Sequence, residues 1–296
     1  MCVIAVKYFP DHGWVGFKNR DRNYVPDISF KREKRGNTEV VLFWDDVTQY
    51  CEGMNGHGVC VISASLMVDD DEKEINIRSA TPSKDGVKIK RSLQGETVKD
   101  VLQAVINNKL TGHTFVYDKK DCYAVEGCWR DGNYEDRDYQ HKVTRLEPHD
   151  HCVRTNHGIM IPTAGYQRID NNKNQTRSRV SSESRLAIGE HVLKYANDPH
   201  QVLDDLTRVY CTEPQLNALR TVAGGKQMRT TSQLMMIPGD FTMYVRPIQS
   251  NFTFNFWDHN HPDNRIWVEI VSNRVLFDNL RNQENVRYPR LTHNVK

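Results

Sequence analysis

The order of its signals makes this sequence an α+β layered protein: strand-forming segments come first, helical periodicity fills the middle, and strand-forming segments return at the end. Three observations carry this. The opening run Cys2-Val3-Ile4-Ala5-Val6-Lys7-Tyr8 is β-branched and apolar. Between Thr97 and Leu110 the residues Val98, Val101, Leu102, Val105 and Ile106 recur at steps of three and one, which is one face of a helix. Gln233 to Ile237, Phe241 to Val245 and Ile266 to Val271 again have strand composition. No internal repeat and no Pro/Gly/Ser-rich linker divides residues 1–296, so one domain is expected, with a peripheral C-terminal tail from about 255.

The first strand meets turn chemistry at Pro10-Asp11-His12-Gly13. Trp14-Val15-Gly16-Phe17-Lys18-Asn19 can then run back beside it. Such a hairpin brings Lys18 to Asp21 close to Cys2. The basic run Lys31-Arg32-Glu33-Lys34-Arg35 reads as a solvated loop. Further strands are expected at Val40 to Trp44, Gly58 to Ser65, His113 to Tyr117 and Cys122 to Val125, with a polar loop over Val68 to Lys84. Thr97 and Asp100 resemble a capping box, with Asp in the place of Glu. Arg168 to Arg179 is rich in Asn and reads as an exposed loop, followed by a helix from about Ser182 to Ala196 in which Gly189 marks a packing contact. Asp198 can cap a further helix with Pro199 in its first turn, carrying Val202, Leu203, Leu206, Val209 and Tyr210.

The composition excludes several classes. The formal net charge is +2 and basic residues are scattered, so neither nucleic acid nor a membrane surface is an expected partner. The mean hydropathy of -0.68 implies a very polar surface around the core. No basic region followed by an apolar core opens the chain, and no apolar run reaches the length of a membrane span. The seven cysteines are an odd number without a CxxC pair, which fits reduced thiols in a cytoplasmic protein.

Cys2 has a particular chemical option. Methionine aminopeptidases remove Met before small residues, and Cys qualifies. Cys2 would then carry both a thiol and a free α-amine. An α-amine, with a reference pKa of about 7.7–8.0, can act as general base for the nucleophile of its own residue. A neighbouring cation favours the thiolate. Lys18 and Arg20 are the candidate cations, with strand alternation putting both on one face, and Asp21 is a candidate for orienting the amine.

With these residues in view, the chain resembles the choloylglycine hydrolase, penicillin V acylase and acyl-CoA:isopenicillin N acyltransferase group of N-terminal-nucleophile (Ntn) hydrolases. The resemblance rests on Met1-Cys2, on Phe17-Lys18-Asn19-Arg20-Asp21 and on Gly53-Met54-Asn55-Gly56-His57-Gly58-Val59. Thr155-Asn156-His157 and Thr230-Thr231-Ser232-Gln233 follow in the same order as in that group. It implies an αββα four-layer sandwich of two antiparallel sheets, Cys2 as nucleophile and Asp21 as hydrogen-bond partner of its amine. It implies Asn156 as a side-chain donor to an oxyanion hole, which the backbone N–H at Ser65 would complete. Lys18 stands where the group commonly has Arg. Gln233 stands where its hydrolases have another Arg, with Arg229 a few residues earlier as the alternative. Met1-Cys2 with Asn19-Arg20-Asp21 is also similar to proteins named for an Asn-Arg-Asp-Glu motif, where Arg22 here replaces the Glu.

The chemistry expected is acyl transfer from a small-molecule N-acyl amide or acyl donor through a thioester, with no cofactor. A catalytically altered protein that keeps the fold in a structural or interaction role is the alternative. His149-Asp150-His151-Cys152 and His259-Asn260-His261 have metal-like spacing without a third ligand, and no metal is expected. Gly224-Gly225-Lys226 lacks the spacing of a phosphate loop. The alternating aromatics of Asn251 to Trp257 read as core or as a homo-oligomer contact.

Overall fold

A computed structural model describes residues 2–24, 26–35, 37–66, 85–129, 139–161, 164, 173–220, 228–248, 254–258, 269–271 and 274–276. The expectations for Val68 to Lys84, Gly224 to Lys226 and His259 to His261 lie outside the described residues.

Two sheets form the frame. The first has seven strands, ordered β10 (His151–Arg154), β1 (Cys2–Phe9), β2 (Gly13–Arg22), β11 (Arg229–Ile237), β12 (Thr242–Pro247), β15 (Arg274–Leu276) and β14 (Glu269–Val271). The second has eight, ordered β13 (Phe254–Asp258), β3 (Ile28–Arg35), β4 (Thr38–Asp45), β5 (Tyr50–Asn55), β6 (Cys60–Ala64), β7 (Gly112–Tyr117), β8 (Cys122–Trp129) and β9 (Tyr139–Leu146). Neighbours pair antiparallel except at the edge, where β13 runs parallel to β3. Of the last three strands, β13 and β14 are edge strands and β15 lies between β12 and β14.

Period-two alternation builds the layers. From β1, Cys2, Ile4 and Val6 enter the space between the sheets, where they meet Phe30, Phe43, Met54, Cys60, Ile62 and Phe115 of the second sheet. Val3, Ala5 and Phe9 turn the other way, onto α3 (Lys173–Tyr195) and α4 (Pro199–Asp205) through Val192, Leu193, Val202 and Leu203. The far face of the second sheet packs Leu42, Trp44, Val61 and Val116 on α1 (Asp85–Ser92) and α2 (Val98–Asn107). The order of layers is therefore helix, sheet, sheet, helix: an αββα sandwich.

Local chemistry explains the helix boundaries. Thr97 and Asp100 form both halves of the capping box at α2. The Asp198 side chain accepts from the N–H groups of His200 and Gln201 at the start of α4, ahead of Pro199. Gly189 lets α3 lie close on β10, since a Cβ there would come within 2.7 Å of Val153 Cγ1.

Several expectations are corrected. The basic run Lys31 to Arg35 belongs to β3 and is not a loop. Its apolar partners Ile28 and Phe30 are buried, while Lys31 pairs with Asp46 at 2.6 Å and Arg32 with Glu39 at 2.8 Å. Charge was legible there; the neighbouring carboxylates that make a charged strand tolerable were not. Helix α3 starts at Lys173, inside the expected Asn-rich loop. Lys, Gln and Arg are good helix formers, and a polar stretch carries no periodic signal. Helix α4 ends at Asp205, leaving Val209 exposed. Helix α1 and strand β9 had no expectation. Strand β9 is largely exposed, so it lacks the apolar alternation that announces a strand.

Candidate active site

The hairpin of β1 and β2 turns at Gly13, whose φ of 76° suits glycine, and the His12 N–H donates to Phe9 O at 3.1 Å. Its register sets Cys2 opposite Arg20. Alternation along β2 then sorts the predicted residues. Lys18, Arg20 and Arg22 lie on the inter-sheet face with the Cys2 thiol, whereas Asn19 and Asp21 lie on the face toward α3.

Cys2 is 4% exposed. Arg22 Nη1 lies 3.6 Å from its Sγ and also donates to Asp21 O at 2.8 Å. Arg22 Nε reaches Asp45 Oδ2 at 3.3 Å, and the Tyr24 hydroxyl donates to the same oxygen at 2.6 Å. Burial pushes the thiol up. The positive charges of Lys18, the amino terminus and Arg22 together outweigh it, and the thiol is lowered to about 7. Burial is also the largest influence on Arg22, acting against its charge, and Cys2 is the largest of the anionic neighbours that raise it.

The two cations expected beside the thiol are committed elsewhere. Lys18 Nζ donates to Glu52 Oε1 and to Ser63 O, the latter at 2.6 Å, and sits 4.8 Å from the centre of the Tyr50 ring. Arg20 donates to Tyr50 O at 3.2 Å and lies 3.5 Å from Asp45 Oδ2. Lys18 thus acts on the thiol through space, and the hydrogen-bonding contact to sulfur comes from Arg22.

The nitrogen of Cys2 is held by Asn156. Its N–H donates to Asn156 Oδ1 at 3.1 Å, and Asn156 Nδ2 donates to Ser65 O at 2.7 Å. Asn156 therefore bridges the start of β1 and the end of β6, bringing Cys2, Asn156 and Ser65 together. The Asn156 N–H donates to Ser182 Oγ on α3 at 2.9 Å. Just beyond, Glu126 of β8 accepts the N–H groups of Ile159, Met160 and Ile161, pinning that loop to the second sheet.

Asp21 takes a different place from the one expected. Its Oδ1 accepts from Thr230 Oγ1 at 2.8 Å, and its Oδ2 lies 3.5 Å from Arg185 Nη1 and 3.6 Å from Arg220 Nε. The acceptor for the Cys2 nitrogen is Asn156, because alternation turns the Asp21 side chain away toward α3. Arg229 is the cross-strand partner of Arg22, just before the bulge between Thr230 and Ser232. Gln233 faces the helical side, where its Nε2 donates to Asn19 Oδ1 and Leu203 O, both at 3.0 Å.

Arg22, Glu52, Ser182 and Arg185 were not among the candidate site residues of the sequence. Arg22 was within reach of it: extending the alternation of 18 and 20 by one step leads to 22. Glu52 and Arg185 lie 50 and 183 positions from Cys2 and carry no motif. Among the described residues, no group of three or more His, Cys, Asp or Glu side chains is placed to hold a metal, and His151 pairs with Glu190 at 3.0 Å. No helix among the described residues is long and apolar enough to cross a membrane.

No protein-family model matches the chain, and no curated protein matches it in sequence. Among solved structures it is similar to conjugated bile acid hydrolase from Clostridium perfringens, determined as a mutant. The identity is 13%, the match covers 85% of this chain and 90% of that chain, and the TM-score is 0.44. It is also similar to penicillin V acylase from Agrobacterium tumefaciens, at 12% identity over 83% of each chain with a TM-score of 0.46. The αββα arrangement itself follows from this chain's own strand pairing and helix packing.

Proposed function

We propose that this chain is an N-terminal cysteine amidase or acyltransferase that cleaves the C–N bond of a linear N-acyl amide through a thioester on Cys2. The observation that carries the reading is the Asn156 amide, which reaches the Cys2 nitrogen with its oxygen and Ser65 with its NH2 group, beside a thiol in contact with Arg22. Removal of Met1 turns the Cys2 nitrogen into an α-amine. That amine takes the thiol proton, and the thiolate adds to the amide carbonyl. The second hydrogen of Asn156 Nδ2 and the N–H of Ser65 receive the oxyanion. The C–N bond breaks, the amine departs with the proton, and water or another nucleophile resolves the thioester. Developing charge on the oxyanion makes the Asn156 donor worth about 2.7–4 kcal/mol in the transition state.

Intact-mass analysis and a screen of N-acyl amides against the wild type and Cys2→Ser test the reading. Loss of Met1, with cleavage by wild type alone, is the expected result. A mature protein that retains Met1 refutes the mechanism, because an amide nitrogen has no basic lone pair. A second reading, a protein that keeps the fold without catalysis, is favoured by the burial of Cys2. It predicts no modification of Cys2 by iodoacetamide at neutral pH in the processed protein.

A further inference from the structure

Asn156 has two tasks in the proposed reaction, and they require opposite ends of one amide. Its oxygen must face the Cys2 nitrogen, and its NH2 group must face the acyl oxygen. A primary amide can rotate by half a turn and exchange the two at little cost in shape, so something must select the orientation. Arg185 of α3 is buried, and its Nη2 donates to Asn156 Oδ1 at 3.0 Å. A guanidinium has donors only. In the flipped amide, Nδ2 would confront two donors, Arg185 Nη2 and the Cys2 N–H, and Oδ1 would confront the Ser65 carbonyl. All three contacts would be lost together.

Arg185 is itself fixed from three sides. Its Nε donates to Ser181 O at 3.2 Å, Nη1 lies 3.5 Å from Asp21 Oδ2, and Nη2 is on Asn156. One turn along the same helix, Gly189 brings α3 close to β10, and Ser182 takes the Asn156 backbone N–H. Helix α3 therefore holds both the backbone and the amide oxygen of Asn156.

Resting on the N-terminal-nucleophile reading, we infer that Arg185 is a positioning residue, which locks the Asn156 amide with its oxygen on the Cys2 nitrogen and its NH2 group toward the oxyanion. Asp21, in this arrangement, serves by holding Arg185.

Two reactions of the Met1-processed protein separate this role from general support. With p-nitrophenyl acetate, the Cys2 sulfur bonds to the acetyl carbon and the thiol proton passes to the α-amine. The C–O bond to p-nitrophenolate then breaks from a tetrahedral intermediate that uses the oxyanion donor. With iodoacetamide, sulfur displaces iodide at a saturated carbon, and no oxyanion forms. Arg185→Met is expected to slow acylation about 10–100-fold, up to an order of magnitude less than deletion of an oxyanion donor. Alkylation should stay within about two-fold, because the thiol's own cations remain. Arg185→Lys, which keeps the charge and offers a single-point donor, should recover part of the acylation rate. Circular dichroism melts establish folding, and if Arg185→Met does not fold, Arg185→Lys carries the test with a smaller loss that is confined to acylation. Acylation and alkylation falling together, or neither falling, overturns the inference. A wild-type Cys2 inert to both reagents refutes the nucleophile reading instead.

Discussion

Two cysteines occupy the same layer between the sheets and differ in chemistry. Cys60, at the apolar end, is fully buried among Tyr117, Cys122 and other core groups, and burial pushes its thiol well up. Cys2, at the other end, is nearly as buried, yet its thiol is lowered to about 7. Desolvation acts on both in the same direction. The difference is made by β2, whose inward residues change along the strand from Trp14 and Gly16 to Lys18, Arg20 and Arg22. Burial makes a thiol inert, and the same burial strengthens a nearby cation, so reactivity is decided by which charges share the layer.

Substitutions at both ends of this layer test whether charge sets the difference between the two thiols. The largest effect is expected from Cys2→Ser, which should reduce thioester formation to background, read by mass spectrometry of the processed chain after p-nitrophenyl acetate. Glu52→Gln would leave Lys18 buried without its carboxylate, and urea unfolding should show a loss of about 3–5 kcal/mol. Asn156→Ala should lower the acylation rate about 10²–10³-fold, since in the proposed reaction it deletes an oxyanion donor together with the acceptor of the Cys2 nitrogen. In wild type, alkylation of Cys2 should rise with pH to a midpoint of about 7, because the thiolate is the reacting form. Arg22→Met should move that midpoint upward by about one unit and slow the reaction about five-fold at pH 7, the direction given by losing a cation that favours the thiolate. The smallest effect is expected at the inert end. Cys60→Ala should leave the labelling profile unchanged and cost about 1 kcal/mol of stability. A Cys60 that competes with Cys2 for iodoacetamide at pH 7 would contradict the assigned difference.

Much of the frame was legible before the structure. The β-branched start, the turn at Pro10 to Gly13 and the returning strand bring Lys18 to Asp21 close to Cys2, and the register in the structure sets Arg20 opposite it. The box at Thr97 and the cap at Asp198 are local, because their donors and acceptors lie within three residues of one another. Strand β3 and the start of α3 were not legible. Both are polar segments without apolar periodicity, and β3 is supported by partners elsewhere, such as Lys90, which reaches Glu33 at 2.6 Å from α1.

The candidate site divides along the same line. Period-two alternation alone determines that positions 18, 20 and 22 share one face of β2 and that 19 and 21 take the other; the register of β1 on β2 makes the first of these the thiol's face. The tertiary contacts set how those charges are partnered: Lys18 on Glu52, Arg20 on Tyr50 and Asp45, and Arg22 on the sulfur. It likewise gave the Cys2 nitrogen to Asn156 and left Asp21 with Arg185 and Arg220. The physical reason is range. A strand's periodicity is a property of its own backbone, whereas the partner of a buried charge is whichever group the second sheet or α3 brings within a few ångströms, often more than a hundred residues away in the chain.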